Sequence, residues 1–374
     1  MFETSRRKLL GALGVGGAAT IAGCAADAPG TADGPAPTAS VDGQKQTKQV
    51  DVDQVAADPT DIPEPIDRNE STTHEITLTV EEVTAEIEPG VTYDYLTFDG
   101  QIPGPMVRVR QGDTVELTLE NPEDSQLPHN VDFHSIYGTG GGAVATTANP
   151  GEQNKMKFQS RYPGAFIYHC AVPRLDYHIS AGMFGMIVVE PKDGMPEVDR
   201  ELYFGQHELY TDKAAGEEGH HGHDPESMKA EDPNYVLLNG EKYAWAAANR
   251  GPIETTVGET VRVFMVDGGP NLSSNFHPIG NVWSRAYRDG GLPEDEDMAA
   301  YADKNIQTMT VPPGSCMIGE MEMAVPERVK LVDHALSRVR HKGLLAEVDA
   351  VGEENEDIYD PDFDGSSHEG PRYA

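Results

Sequence analysis

Residues 166–172 read FIYHCAV, and two strong metal ligands, His169 and Cys170, stand side by side in a run that otherwise has the composition of a buried β-strand. Successive side chains on a strand point to opposite faces, so the pair does not easily converge on one ion and two metals are implied. Cys170 shares its face with Tyr168. His178 and Met183 follow in HISAGM, and His129 lies upstream in PHNVDFH. Zinc rarely takes a thioether, whereas two imidazoles and a thiolate in a plane with a weak axial Met form a blue-copper electron-transfer site.

The alternation in HNVDFH sets His129, Val131 and Phe133 on one face and Asn130, Asp132 and His134 on the other. The apolar pair marks the inward face. His129 therefore goes inward with Cys170, and His134 goes outward with His169, with Asp132 beside it. Two outward histidines leave a metal unsaturated, so a third ligand must come from another domain or subunit. An internal repeat offers one: RQGDTVELTLEN matches TVGETVRVFMVD, NPGEQNKMKF matches VPPGSCMIGEM, and PGAFIYHCAV matches PERVKLVDHAL, in the same order. His334 then falls opposite His169, and Ala335 opposite Cys170. A three-histidine site keeps an open position where divalent copper, a Lewis acid, attracts a small anion. One peptide link would join the two metals, on the order of 10 to 15 Å apart.

The elements that must carry these residues are short alternating strands separated by Gly, Pro and Asn turns, from Glu75 to about Pro191 and again from about residue 200 to 351. The pattern predicts an all-β protein of two tandem sandwiches, residues 73–191 and 200–351. Residues 25–72, rich in Ala, Pro, Gly, Asp and Thr without an apolar period, read as a disordered acidic tether, and residues 352–374 as a loose acidic tail.

At the N-terminus, Arg6 and Arg7 precede a small, weakly apolar run too short to span a bilayer, which ends in Ile21-Ala22-Gly23-Cys24. Residues 1–24 resemble a twin-arginine signal ending in a lipobox. That predicts export of a folded chain to the outer face of the cell membrane, tethered only through a lipid on Cys24. The other cysteines, Cys170 and Cys316, lie in different kinds of segment, so no disulfide framework is indicated; Cys316 reads as a small buried apolar residue. Acidic side chains number 63 against 28 basic ones, a net charge of -35, which excludes nucleic acid and an anionic membrane face as partners and suits a halophile.

The motifs LPHNVDFH, ANPGEQ, FIYHCA, HISAGMFGMIVV, NFHPIG and LVDHAL occur in the order found in the copper-containing nitrite reductases, and the chain resembles that family over about residues 73–350. The resemblance implies two cupredoxin-like Greek-key domains. It implies type 1 copper on His129, Cys170, His178 and Met183, and type 2 copper on His134, His169 and a neighbouring subunit's His334, two coppers per subunit in a homotrimer. It further implies one-electron reduction of nitrite to nitric oxide in denitrification and nitrate assimilation. Asp132 and His277 would handle protons, Ile279 would wall the substrate pocket, and an external donor, a small cupredoxin, would supply the electron. Three local departures stand out: Cys170 and His178 are eight residues apart rather than the usual nine, Tyr177 replaces a common Trp, and Pro278 a usual Leu.

Two other functions fit less well. A two-domain multicopper oxidase needs paired His-x-His motifs, including a His-Cys-His, but here His169-Cys170 is followed by Ala171. A cupredoxin electron carrier leaves Asp132, His134, His169 and His334 without purpose. His220, His221 and His223 in GEEGHHGHDPES read as an exposed acidic loop with adventitious metal affinity and no ordered partners.

Overall fold

Alternating residues become paired strands from Thr73 onward. The computed structural model describes residues 54–294, 297–361 and 363. The signal with Cys24, residues 25–53 of the expected tether and residues 364–374 of the tail lie outside the described residues. The strand Thr73–Glu88 serves two partners: its first half runs parallel to Thr114–Asn121, and its second half runs antiparallel to Val91–Phe98. These strands, with Glu152–Gln159, form most of a five-stranded sheet. A four-stranded sheet of Val107–Arg110, Phe184–Glu190, Gly164–His169 and Asp132–Phe133 completes the first sandwich.

The second sandwich repeats the plan. Its six-stranded sheet runs in the order Tyr235–Leu238, Arg200–Leu209, Thr260–Gly269, Ser315–Glu322, Trp283–Tyr287, Asp303–Ile306. A five-stranded sheet of Ile253–Thr256, Ala346–Val351, Glu327–Asp333, Ser274–Ile279 and Met309–Val311 closes it. The strand Thr260–Gly269 is buried on both faces: Val261, Val263 and Met265 enter the second domain's core, while Phe264 and Val266 join the first domain's. Tyr203, Leu209 and Ile318 do the same, so one apolar core runs through the joint between the domains. Each such side chain contributes about 1.5 to 3 kcal/mol by leaving water. Cys316, opposite Val266, is a free thiol buried in that joint.

The joint also holds a buried chain of charges. Arg108 of the first domain binds Glu190 and Glu201, and Glu201 in turn binds Arg262 of the second, which binds Glu320. Burial alone would raise the Glu201 carboxyl, yet Arg108 and Arg262 hold it below the usual carboxylate range.

Residues 54–72 depart from the expected tether. Val55 and Ala57 are buried, Ala57 N–H donates to Ile102 O at 3.0 Å, and Ile102 N–H donates to Val55 O at 2.7 Å. Asn239 Nδ2 and Trp245 Nε1 donate to Ala57 O, and Tyr203 N–H donates to Pro59 O. The segment is thus a strap laid along the joint, held mainly through its backbone. The histidine loop is also corrected: Gly219–His221 is a strand paired parallel to Val91–Tyr93, on the edge of the first domain's sheet. His221 is buried with Nε2 donating to Glu217 O, His220 lies 3.4 Å from Asp94, and the His223 ring lies 4.7 Å from that of Tyr177.

Candidate metal centres

The first group is built from two segments of the first sandwich, the one carrying His129 and the one running from Cys170 to Met183. His129 is fixed by a two-way backbone bridge to Ala148, at 3.0 and 2.8 Å. Cys170 follows directly on the strand Gly164–His169, and its N–H donates to Met183 O at 3.1 Å. His178 sits on the short helix Leu175–Ser180, and Met183 N–H donates to His178 O at 3.0 Å, so the loop carrying Cys170, His178 and Met183 closes on itself. All four side chains are buried. Cys170 Sγ lies 3.7 Å from His129 Nδ1 and 3.6 Å from His178 Nδ1. A single ion with a metal–sulfur bond of about 2.3 Å and metal–nitrogen bonds of about 2.0 Å would reach all three atoms at those spacings.

The electrostatics suit a metal. Burial lowers both imidazoles, His178 to about 4, with His129 and Arg174 adding to the effect there and Glu82 opposing it at His129. They are therefore neutral ligands at pH 7. Burial pushes the Cys170 thiol up to about 11, so without a cation the sulfur keeps its proton. Asn130 corrects the strict alternation read from HNVDFH: the strand there spans only Asp132–Phe133, and Asn130 turns inward. Its Oδ1 accepts from Ala171 N–H at 2.7 Å and lies 3.8 Å from Cys170 Sγ.

A second group lies on the other face of the same strand. His134 Nε2 and His169 Nε2 face each other at 3.0 Å. Two nitrogens about 2.0 Å from a shared ion at that separation subtend about 97°, an ordinary ligand angle. Asp132 is the cross-strand partner of His169, and one carboxylate oxygen lies within 4.8 Å of both imidazoles' ligand atoms. His169 Nδ1 donates to Cys170 O at 2.9 Å, which leaves Nε2 as the ligating nitrogen and bonds the imidazole of one group to the main chain of the other. Burial also lowers His169. Asp132 is hemmed by the glycine run 140–142: Gly141 has φ of 52°, and a Cβ there would collide with Asp132 Oδ1. Neither Asn130's role nor this glycine contact was read from the sequence, though the run GTGGG was a visible signal of close backbone approach.

The remaining predicted residues gather on the second domain. The His277 and His334 rings lie 5.3 Å apart, His277 Nδ1 donates to Gln307 O, and Ile279 is 38 % exposed two residues further on. His334 is exposed at the end of Glu327–Asp333, its N–H donating to Asn275 O. Among the described residues it does not join His134 and His169 of its own chain.

Tandem cupredoxin sandwiches, with a buried group of two histidines and a cysteine and a separate group of two histidines and a carboxylate one residue away, define a two-domain copper oxidoreductase. Residues 79–194 match the multicopper oxidase family. Over 307 residues, 82 % of this chain and 76 % of each relative, the sequence is 40 % identical to the copper-containing nitrite reductases of Neisseria meningitidis serogroup B and Neisseria gonorrhoeae. The solved copper nitrite reductase of Nitrosomonas europaea superposes with a TM-score of 0.66 at 30 % identity, covering 76 % of this chain and 95 % of that one. A solved multicopper oxidase, at 22 % identity and a TM-score of 0.64, covers 79 % of this chain and 98 % of its own and shares the fold. The chain belongs to the family of copper-containing nitrite reductases. It is an oxidoreductase that reduces nitrite by one electron to nitric oxide, with type 1 and type 2 copper as cofactors.

Proposed function

We propose that His129, Cys170, His178 and Met183 hold the type 1 copper, and that His134 and His169 hold the type 2 copper together with His334 of a second copy in a homotrimer. The observation that carries this reading is the split of two neighbours between two donor groups: Cys170 with His129 and His178, and His169 with Asp132 and His134. The His277–His334 pair, with His277 half-buried and His334 exposed, lies outside its own chain's donor groups and supports a ligand shared between copies. Head-to-tail contacts of that kind close into a ring.

Bound copper supplies one-electron transfer at the first site, and Lewis-acid binding of nitrite with its reduction at the second. The chain's own groups do the rest. The His169 Nδ1 to Cys170 O bond and the peptide between them give the electron a path of a few bonds. Nitrite with one electron and two protons gives nitric oxide and water. Asp132 hydrogen-bonds the anion and passes it a proton; His277, oriented by Gln307 O, relays the second; Ile279 walls the pocket. A small cupredoxin delivers the electron over the type 1 face. Residues 1–24 direct twin-arginine export, Cys24 takes a lipid at the outer membrane face, and the net charge of -35 suits concentrated salt, where the enzyme serves denitrification.

Copper stoichiometry with electron paramagnetic resonance tests the assignment. Two distinct cupric signals are expected in the native protein, and His134→Ala should keep only the type 1 signal and lose nitrite turnover. Full turnover by His134→Ala with one copper per chain would refute it.

A further inference from the structure

His129 has two ring nitrogens with different tasks. Nδ1 faces the Cys170 thiol at 3.7 Å, and Nε2 points the other way, fully buried and without a hydrogen-bond partner among the described residues. An imidazole that commits Nδ1 to a metal carries its proton on Nε2, and a buried N–H left without an acceptor costs about 1 to 3 kcal/mol. Glu82 Oε1 lies 3.7 Å from that nitrogen.

The carboxylate is held in place. It comes from the strand Thr73–Glu88, its side chain is 21 % exposed, and the same Oε1 accepts from Ser125 Oγ at 2.8 Å, Gln126 N–H at 2.7 Å and Leu127 N–H at 3.2 Å. Residues 125–127 lead directly into Pro128 and His129, so the group that faces the ring also anchors the loop that delivers it. The gap to Nε2 exceeds a charge-assisted hydrogen bond by about 0.8 to 1 Å, and because residues 125–127 and His129 share one loop, a small shift of that loop and its ring would close it without breaking the anchor.

We propose that Glu82 is a positioning residue for His129: it accepts the Nε2 hydrogen bond, fixes the ring plane, and lowers the reduction potential of the copper that the ring holds. A carboxylate behind a ligating imidazole strengthens the imidazole as a donor and adds negative charge, and both effects favour the cupric form. The inference rests on His129 as a type 1 ligand. Its failure is distinguishable from failure of that reading: a native protein lacking a copper–thiolate absorption removes the assignment itself, whereas normal absorption with a potential indifferent to Glu82 removes only this role.

The test is a spectroelectrochemical titration of the type 1 absorption in the copper-loaded full chain. Glu82→Gln keeps an acceptor oxygen and loses the charge. It should raise the midpoint potential by enough to shift the reduced-to-oxidised ratio about tenfold at fixed potential, about 59 mV for one electron. Ser125→Ala removes one anchor of the loop but leaves the carboxylate facing the ring, and should leave the potential unmoved. An unshifted Glu82→Gln, or an equal shift in Ser125→Ala, overturns the proposal. Should Glu82→Gln not fold, pulsed electron paramagnetic resonance of the native type 1 site decides. One remote imidazole nitrogen should show strong hydrogen bonding, and two weakly bonded remote nitrogens would overturn the proposal.

Discussion

Glu201→Gln perturbs the joint between the two domains at its centre. The Glu201 carboxylate accepts from Arg108 at 2.5 and 3.2 Å and from Arg262 at 2.7 Å, with all three side chains under 10 % exposed. Arg108 keeps Glu190 and Arg262 keeps Glu320, but the carboxylate that ties the two buried guanidinium groups together is lost, and each is left with one anionic partner instead of two. Removing one partner from a buried ionic network costs about 3 to 5 kcal/mol. With roughly 300 folded residues that corresponds to a Tm lower by about 5 to 8 °C. Arg285→Ala is the control, since Arg285 is 40 % exposed and binds the same network from its rim; it should cost about 1 kcal/mol or less. Thermal unfolding followed by circular dichroism, in low and in concentrated salt, separates them, because a buried charge is screened little. If His334 completes the type 2 site as proposed, the type 2 signal should weaken before the type 1 signal, because the proposed type 1 ligands all lie in the first domain. A Glu201→Gln protein melting within about 2 °C of Arg285→Ala at both salt concentrations would refute the reasoning.

Asp132→Asn should retain both copper signals and lose about 100-fold or more in nitrite turnover, the usual contribution of a placed proton donor; steady-state nitric oxide formation with copper counting checks it. Cupric ion uptake at the type 1 group near pH 7 should release about one proton per ion, because the Cys170 thiol, raised to about 11, is protonated below that pH while His129 and His178, lowered by burial, are already neutral. An indicator-dye titration reads this, and release of about three protons, or none, would contradict it. Uptake should also slow as pH falls, since the same proton must leave.

The split of the donor residues into two groups was legible in the sequence because strand parity is a local rule: His169 and Cys170 need only one shared strand to be sent to opposite sides. Parity failed at Asn130, which lies outside the strand Asp132–Phe133, just after the bridge from His129 to Ala148, so strict alternation does not extend back to it. The strap over residues 54–66 was hidden for another reason. Its buried side chains are few and small, Val55 and Ala57 among them, and its hold comes from main-chain carbonyls and amides, which carry no compositional signature. The strand Gly219–His221 was hidden likewise, because an acidic, histidine-rich stretch joins a sheet through backbone groups whatever its side chains. The partner of His334 cannot be read from alternation, which speaks only of faces within one chain.

That three-residue strand has a consequence for how the halves of the repeat depend on each other. Donated by the later half of the chain, it seals Val91–Tyr93, which would otherwise be an open rim of unpaired amides and carbonyls. Cut out as a separate module, the earlier half would expose that rim and recruit a stranger to fill it. The duplicated sandwiches have thus ceased to be interchangeable units, and a chimera that swaps one of them must bring along the short patch its neighbour expects.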